Sequence, residues 1–234
     1  MSRDKVDSQP AFILHSYPFR ETSLIVEAFS RDYGRMALLA RGARRPRSPM
    51  RGLLMEFQPL ELSWSGKGEV RTLMKAEWQG GQPLLTGRAL LCGYYLNELL
   101  LNFLPREDAH KRLFSIYAET LLRFPRAACE SDIRCFERSF LQELGYGLDF
   151  SRDADGCAID PQAYYVYEIE RGPVRLGLEG ESALSVSGKT LLDLATEDLS
   201  DQRSLLEAKQ LMRTLISHYM GGKELKTRKI FLGL

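Results

Sequence analysis

The chain has 234 residues, 44% of them hydrophobic and 27% charged. Those proportions exclude global disorder, a collagen-like repeat and a disulfide miniprotein, and the length suits one large or two small domains. Net charge is only +1, yet residues 1–80 carry 13 Lys+Arg against 9 Asp+Glu while residues 81–234 carry 19 against 22, so the two parts differ in sign. The excess is concentrated between Tyr33 and Met55, where Arg35, Arg41, Arg44, Arg45, Arg47 and Arg51 occur without one acidic residue.

At the N-terminus, Met1–Pro10 is polar, lacks the apolar core of a secretory signal and reads as a flexible tail. Five short runs rich in β-branched, aromatic and leucine residues follow: Ala11–Tyr17, Ser23–Phe29, Arg35–Ala40, Leu60–Ser65 and Val70–Glu77. Pro18, Asp32-Tyr33-Gly34 and Ser65-Gly66-Lys67-Gly68 punctuate them as turns. Five strands in so short a span predict a small closed barrel over residues 11–80, an OB-fold or, on strand count alone, an SH3-like barrel.

After Gly80-Gly81 the period becomes helical, giving an α+β chain in which residues 81–234 form a mainly helical domain. Ala89–Leu104 is apolar on nearly every face, although Asn97, Glu98 and Asn102 interrupt it too often for a membrane span, so a cytoplasmic protein is expected. Leu113–Phe124 follows and stops at Pro125; a third helix over Ser131–Leu144 takes Ser131 as N-cap and Gly145 as its stop. An irregular β insertion is expected at about residues 146–186, with strand-like pieces at Tyr164–Ile169 and Val174–Leu178. The last long helix opens on Ser204-x-x-Glu207, read as a capping box, carries Leu205, Ala208, Met212, Leu215 and Tyr219 as a stripe, and ends at Gly221-Gly222.

Clustered guanidinium groups without carboxylates suit a row of phosphates, which makes the arginine segment between the third and fourth strands the candidate nucleic-acid contact. Arginines on phosphate set affinity but carry no base information, so sequence-independent binding of single strands is expected. A second basic cluster, Lys223, Lys226, Arg228 and Lys229, follows the last helix; cations there also offset a helix macrodipole. Enzyme signatures fail: Ser187-Gly188-Lys189-Thr190 lacks the first glycine of a P-loop, Ala183 standing in its place, and reads as a helix cap. Asp153-Ala154-Asp155-Gly156 departs from a calcium loop and reads as a polar turn, and His15, His110 and His218 share no motif. Cys92, Cys129, Cys135 and Cys157 lack C-x-x-C spacing and read as free thiols. No catalytic residue and no cofactor is expected.

Phe12 to Arg44, Gly68-Glu69-Val70-Arg71-Thr72-Leu73, Tyr95-Leu96-Asn97-Glu98-Leu99-Leu100, Leu144-Gly145-Tyr146-Gly147 and Gly221-Gly222-Lys223-x-Leu225-Lys226-Thr227-Arg228 occur in that order. Their succession resembles the RecO family of bacterial DNA repair proteins over nearly the whole chain. The resemblance implies an OB-fold followed by a helical domain and a non-enzymatic role. That role is to bind single- and double-stranded DNA, anneal complementary strands, engage the acidic C-terminal tail of single-stranded DNA-binding protein, and act with RecR in loading RecA, with RecF a further functional link. Lys67 and Arg71 join the expected DNA-binding set. For the partner tail, a basic group beside an apolar notch is needed, and Arg134, Arg138 and Leu141 on the third helix are the candidates. Some family members carry a four-cysteine zinc module after Leu-Gly-Tyr-Gly; here only Cys157 lies between Tyr146 and Val186, and no zinc is expected. The rival reading is a protein-only adaptor whose arginine loop meets acidic partners.

Overall fold

The computed structural model describes residues 5–125, 129–147, 149–177 and 185–228. It divides into two compact units, residues 1–127 with 225–234, and residues 128–224.

In the first unit β1 (Lys5–Phe19), β2 (Ser23–Ser30), β3 (Gly34–Ala40), β4 (Leu60–Ser65) and β5 (Val70–Trp78) close a barrel in the order β1-β2-β3-β5-β4. This is the OB-fold order, with β3 and β5 as the parallel closing pair. Every predicted strand forms, but β1 begins at Lys5, so residues 5–10 are strand rather than tail. Lys5↔Ser65 and Val6↔Trp64 pair with β4, while Ala11 to Phe19 pairs with β2. One strand can serve both neighbours because its pairing is interrupted between Val6 and Gln9, where Ser8 takes a φ of 48°, and again between Ile13 and His15. Such bulges bend a strand around a barrel.

Ile13, Val26, Ala28, Met36, Leu38, Leu62, Trp64 and Leu73 point inward and are almost wholly buried. Alternate residues therefore face outward. Along that outer face the pairings Phe12↔Phe29↔Arg35 and Tyr17↔Ile25↔Leu39 form cross-strand rows. Gly34 turns β2 into β3 at a φ of +68°, and a Cβ there would lie 1.8 Å from the Asp108 carbonyl oxygen, so only glycine fits.

Two helices, α1 (Gly87–Phe103) and α2 (Lys111–Arg123), group with the barrel and not with the remaining helices. The Phe12 and Phe29 rings meet Phe114 and Tyr117 of α2 at centroid distances of 5.2–6.1 Å. Asn97, which interrupts the apolar run of α1, donates from Nδ2 to the Leu14 carbonyl at 2.8 Å and accepts from Tyr117 Oη at 2.6 Å. A buried amide is kept because each of these bonds is made. Burial also holds the Tyr117 hydroxyl far above its ordinary pKa. Its neighbour Glu98 accepts from the Lys226 and Thr227 backbone N–H groups at 2.7 and 2.9 Å and from the Thr227 hydroxyl at 2.6 Å. The chain thus returns to the first unit at its far end, with Leu225 buried.

The second unit holds α3 (Cys129–Glu143), β6 (Tyr164–Glu168), β7 (Gly172–Arg175), β8 (Ser185–Ser187), α4 (Gly188–Thr196) and α5 (Gln202–Tyr219). Its sheet has the order β7-β6-β8. Leu178 and Ala183, invoked in the sequence reading, lie outside the described residues. Ser131 is inside α3 and is not its cap, because the helix opens two residues earlier. Gly145 does stop it: at a φ of +84° it lets Tyr146 N–H reach the Leu141 carbonyl and its own N–H the Gln142 carbonyl.

Two caps differ in an instructive way. Ser187 caps α4 as expected, accepting from the Thr190 N–H at 3.2 Å. The expected box on Ser204 and Glu207 does not form; Asp201 caps α5 by accepting from the Ser204 N–H at 2.9 Å. Glu207 turns to the start of α4, where the Ser187 N–H, the Ser187 hydroxyl and the Thr190 hydroxyl donate to it at 2.9, 2.8 and 2.7 Å. Burial alone would raise its pKa, but these bonds and Arg203 outweigh it and hold the carboxyl below its usual range.

Candidate nucleic-acid interface

The arginine segment occupies the connection from β3 to β4. Its backbone climbs in steps of three: Arg45 N–H donates to the Gly42 carbonyl, Ser48 N–H to Arg45 and Arg51 N–H to Ser48, at 3.0, 3.0 and 3.1 Å. Pro46 and Pro49 fall at the second position of the latter two turns, where a fixed φ favours the turn over a helix. Ala43 and Leu54 are buried in the barrel core with Met50 packed against it, so the loop plugs one part of the barrel. Two further bonds tie it to the β1–β2 hairpin: Gly42 N–H to Ser23 Oγ at 3.3 Å, and Arg44 N–H to the Thr22 carbonyl at 2.8 Å.

On this pinned backbone Arg41, Arg44, Arg45, Arg47 and Arg51 all project into solvent. Among the described residues, none of the five has a carboxylate within ion-pairing distance. Positive charge is thereby held on a surface with little conformational freedom in the chain that carries it, an arrangement suited to a polyanion.

Arg35 does not join them. Its row on the outer face is covered by α2, and its side chain is 19% exposed. Nη1 donates to the Leu101 carbonyl at 3.0 Å and lies 3.8 Å from Glu27 Oε2. Burial lowers the pKa of this guanidinium, an effect that Glu27 opposes. Arg106 also binds Glu27, and Glu107 N–H donates to the Arg35 carbonyl at 2.9 Å, so Arg35 belongs to a clamp between barrel and the α1–α2 connection. Arg71 is likewise occupied, donating from Nη2 to Glu107 Oε2 at 2.8 Å with its side chain 18% exposed. Lys67 is exposed in the β4–β5 turn. Lys226 is exposed and Arg228 half-buried beside the Glu98 clasp of the first unit, whereas Lys223 belongs to the second unit and Lys229 lies outside the described residues.

The expected notch on α3 is not a surface. Leu141 is wholly buried, and Arg134 is 6% exposed with Nη1 3.0 Å from Glu137 Oε2. Arg138 donates to Glu197 Oε1 at 2.9 Å, and Ser139 donates to the same oxygen. Helix α3 buries not only Ile133, Phe136 and Phe140 but a wider arc that takes in Arg134 and Glu137.

Cys92, Cys135 and Cys157 are free thiols. Asp153 organises the polar turn that precedes Cys157, accepting at Oδ1 from the Asp155 and Cys157 N–H groups at 3.0 and 2.8 Å. Among the described residues no three His, Cys, Asp or Glu side chains converge as metal ligands would, and no helix is long and apolar enough to cross a membrane.

The residues missed by sequence reasoning are Asn97 and Glu98. Both stand in the Tyr-Leu-Asn-Glu-Leu-Leu run, and polar groups inside an otherwise apolar helix were the available signal.

Family comparison agrees with this architecture. Residues 3–81 match the family described as Recombination protein O N terminal, and residues 84–229 match Recombination protein O C terminal. A protein named DNA repair protein RecO from Dechloromonas aromatica (strain RCB) is 65% identical, covering 98% of this chain and 96% of its own. Proteins of the same name from Aromatoleum aromaticum and Burkholderia pseudomallei are 55% and 46% identical, covering 97% and 100% of this chain and 96% and 86% of theirs. With an OB barrel at the start, helices after it and similarity over essentially its full length, the chain belongs to the RecO family of DNA repair proteins.

Proposed function

We propose that this protein binds single- and double-stranded DNA without regard to sequence, anneals complementary strands and acts as a recombination mediator. In that role it helps load RecA on DNA coated with single-stranded DNA-binding protein, in company with RecR and with a functional link to RecF. The observation that carries the reading is the pinned loop with five exposed arginines, none of them in an ion pair with a described carboxylate. The barrel of β1 to β5 is the DNA-binding domain, with Lys67, Lys226 and Arg228 as additional contacts of the first unit; Lys223 is a DNA contact of the second unit taken by itself.

Two strands repel each other through their phosphates. Arginines that neutralise both lower the barrier to pairing and release condensed counterions, so annealing proceeds without catalysis or cofactor. The acidic tail of single-stranded DNA-binding protein is a partner whose binding site is elsewhere than the buried flank of α3. The setting is the nucleoid in the cytoplasm.

A strand-annealing assay with two complementary dye-labelled oligonucleotides tests this. The protein should accelerate pairing over the spontaneous rate, and the triple Arg44→Ala, Arg45→Ala, Arg47→Ala variant should lose most of the acceleration. Equal rates for the two proteins would rule the loop out.

A further inference from the structure

The outer face of the barrel carries an aromatic residue that neither the fold nor the arginine loop explains. Tyr17 is 47% exposed on β1. It pairs with Ile25, which pairs with Leu39, and Leu39 with Thr72, so an apolar cross-strand row with half-buried Ile25 and Leu39 runs beside it. The His15 ring meets Tyr17 edge-on at 4.4 Å and braces it. Two pairs further along, Phe19↔Ser23 closes the β1–β2 hairpin, and Arg20 lies with its guanidinium carbon 5.3 Å from the Phe19 ring centre. The residues to which the arginine loop is bonded, Thr22 and Ser23, belong to this same hairpin end. Tyr17 therefore stands two residues, roughly 7 Å of strand, from the anchor of the phosphate-binding loop.

We infer that Tyr17 is a base-stacking residue: unpaired bases of a single strand lie on its ring, over the Ile25–Leu39 floor, while Arg20, Arg41 and Arg44 hold the flanking phosphates. This rests on the DNA-binding reading above and adds to it the source of a preference for single strands. An aromatic ring next to fixed cations matches a ligand that alternates flat apolar faces with negative charge, and a duplex keeps its base faces inside. Strands 2 and 3 of OB barrels commonly carry oligonucleotides, which gives the face a physical precedent.

The test is fluorescence anisotropy with oligo-dT and with a blunt duplex, across a salt series, on the full chain. A 2-aminopurine-labelled single strand gives a second readout of stacking. Tyr17→Ala should weaken oligo-dT binding about tenfold, within the range for one stacked base. It should leave the salt slope and the duplex affinity as they were and abolish the change in 2-aminopurine emission. Tyr17→Phe should behave as the unaltered protein, while Tyr17→Leu, which keeps apolar area without an aromatic face, should resemble Tyr17→Ala. Unchanged oligo-dT affinity in Tyr17→Ala, or full recovery by Tyr17→Leu, would overturn the stacking role and leave the arginine loop standing. Failure of the unaltered protein to bind oligo-dT would instead remove the DNA-binding reading itself, and this inference with it.

Discussion

Simultaneous replacement of Arg44, Arg45 and Arg47 by alanine is the perturbation that most directly weighs the loop. The structure withdraws Arg35, which is committed to Leu101 and Glu27, and leaves Arg41, Arg44, Arg45, Arg47 and Arg51 exposed. If each of these contacts one phosphate of a single strand, a coefficient of ~0.7 per contact makes the loop's share of the log–log salt slope about −3.5. Removing three leaves about −1.4 of that share. Between 50 and 200 mM salt the loop should then account for an affinity loss of about 130-fold in the unaltered protein and about sevenfold in the variant. The loop's turns are closed by backbone bonds and its core contacts are made by Ala43, Met50 and Leu54, so the substitutions leave its folding intact. Anisotropy titrations at four or five salt concentrations read the slope. A variant that binds more weakly by a constant factor, with the same slope as the unaltered protein, would refute the counterion argument even though affinity had fallen.

Three further outcomes follow from particular contacts. Glu98→Ala removes an acceptor that satisfies three donors of Lys226 and Thr227. Urea unfolding followed by Trp64, which is wholly buried in the barrel, should show a loss of about 2 kcal/mol. Arg134→Ala breaks a pair whose side chains are 7% and 0% exposed, and should lower stability by about 3 kcal/mol, so any loss of partner binding must arrive together with a lower Tm. Glu207 has its pKa held down in the folded state, so its stabilisation is present above the unfolded value of ~4.3 and is lost as pH falls through the folded value. The stability gap between the unaltered protein and Glu207→Gln should therefore be widest near neutral pH and close on acidification; a gap independent of pH would contradict this.

The barrel strands were legible because alternation, turns and β-branched content all agree within each short segment, and their observed ends differ from expectation by at most one residue except at β1. There the polar run Lys5–Pro10 hides a strand, since its pairing with β4 is specified by residues some fifty positions away. The arginine loop was legible as charge, and its two prolines announced turns. Arg35 and Arg71 were not separable from it in sequence, because Leu101 and Glu107 lie 66 and 36 residues further on. On α3 the pair Arg134 and Arg138 reads in sequence as a basic group for a partner tail although Glu137 stands between them; what buries Arg134 and pairs Arg138 with Glu197 is tertiary. The observed cap of α5, Asp201, lies three residues before the expected Ser204, whose box partner Glu207 is claimed by Ser187 and Thr190.

The division of the chain carries a practical lesson about cutting it. A fragment ending near residue 81 contains all five strands, yet it strips Phe114 and Tyr117 from Phe12 and Phe29 and the Asn97 amide from Leu14. A longer piece ending at residue 127 restores those partners but leaves the Glu98 carboxylate facing water where Lys226 and Thr227 had been. A faithful excision would instead splice residue 127 to residue 225, because the first unit draws on both ends of the chain.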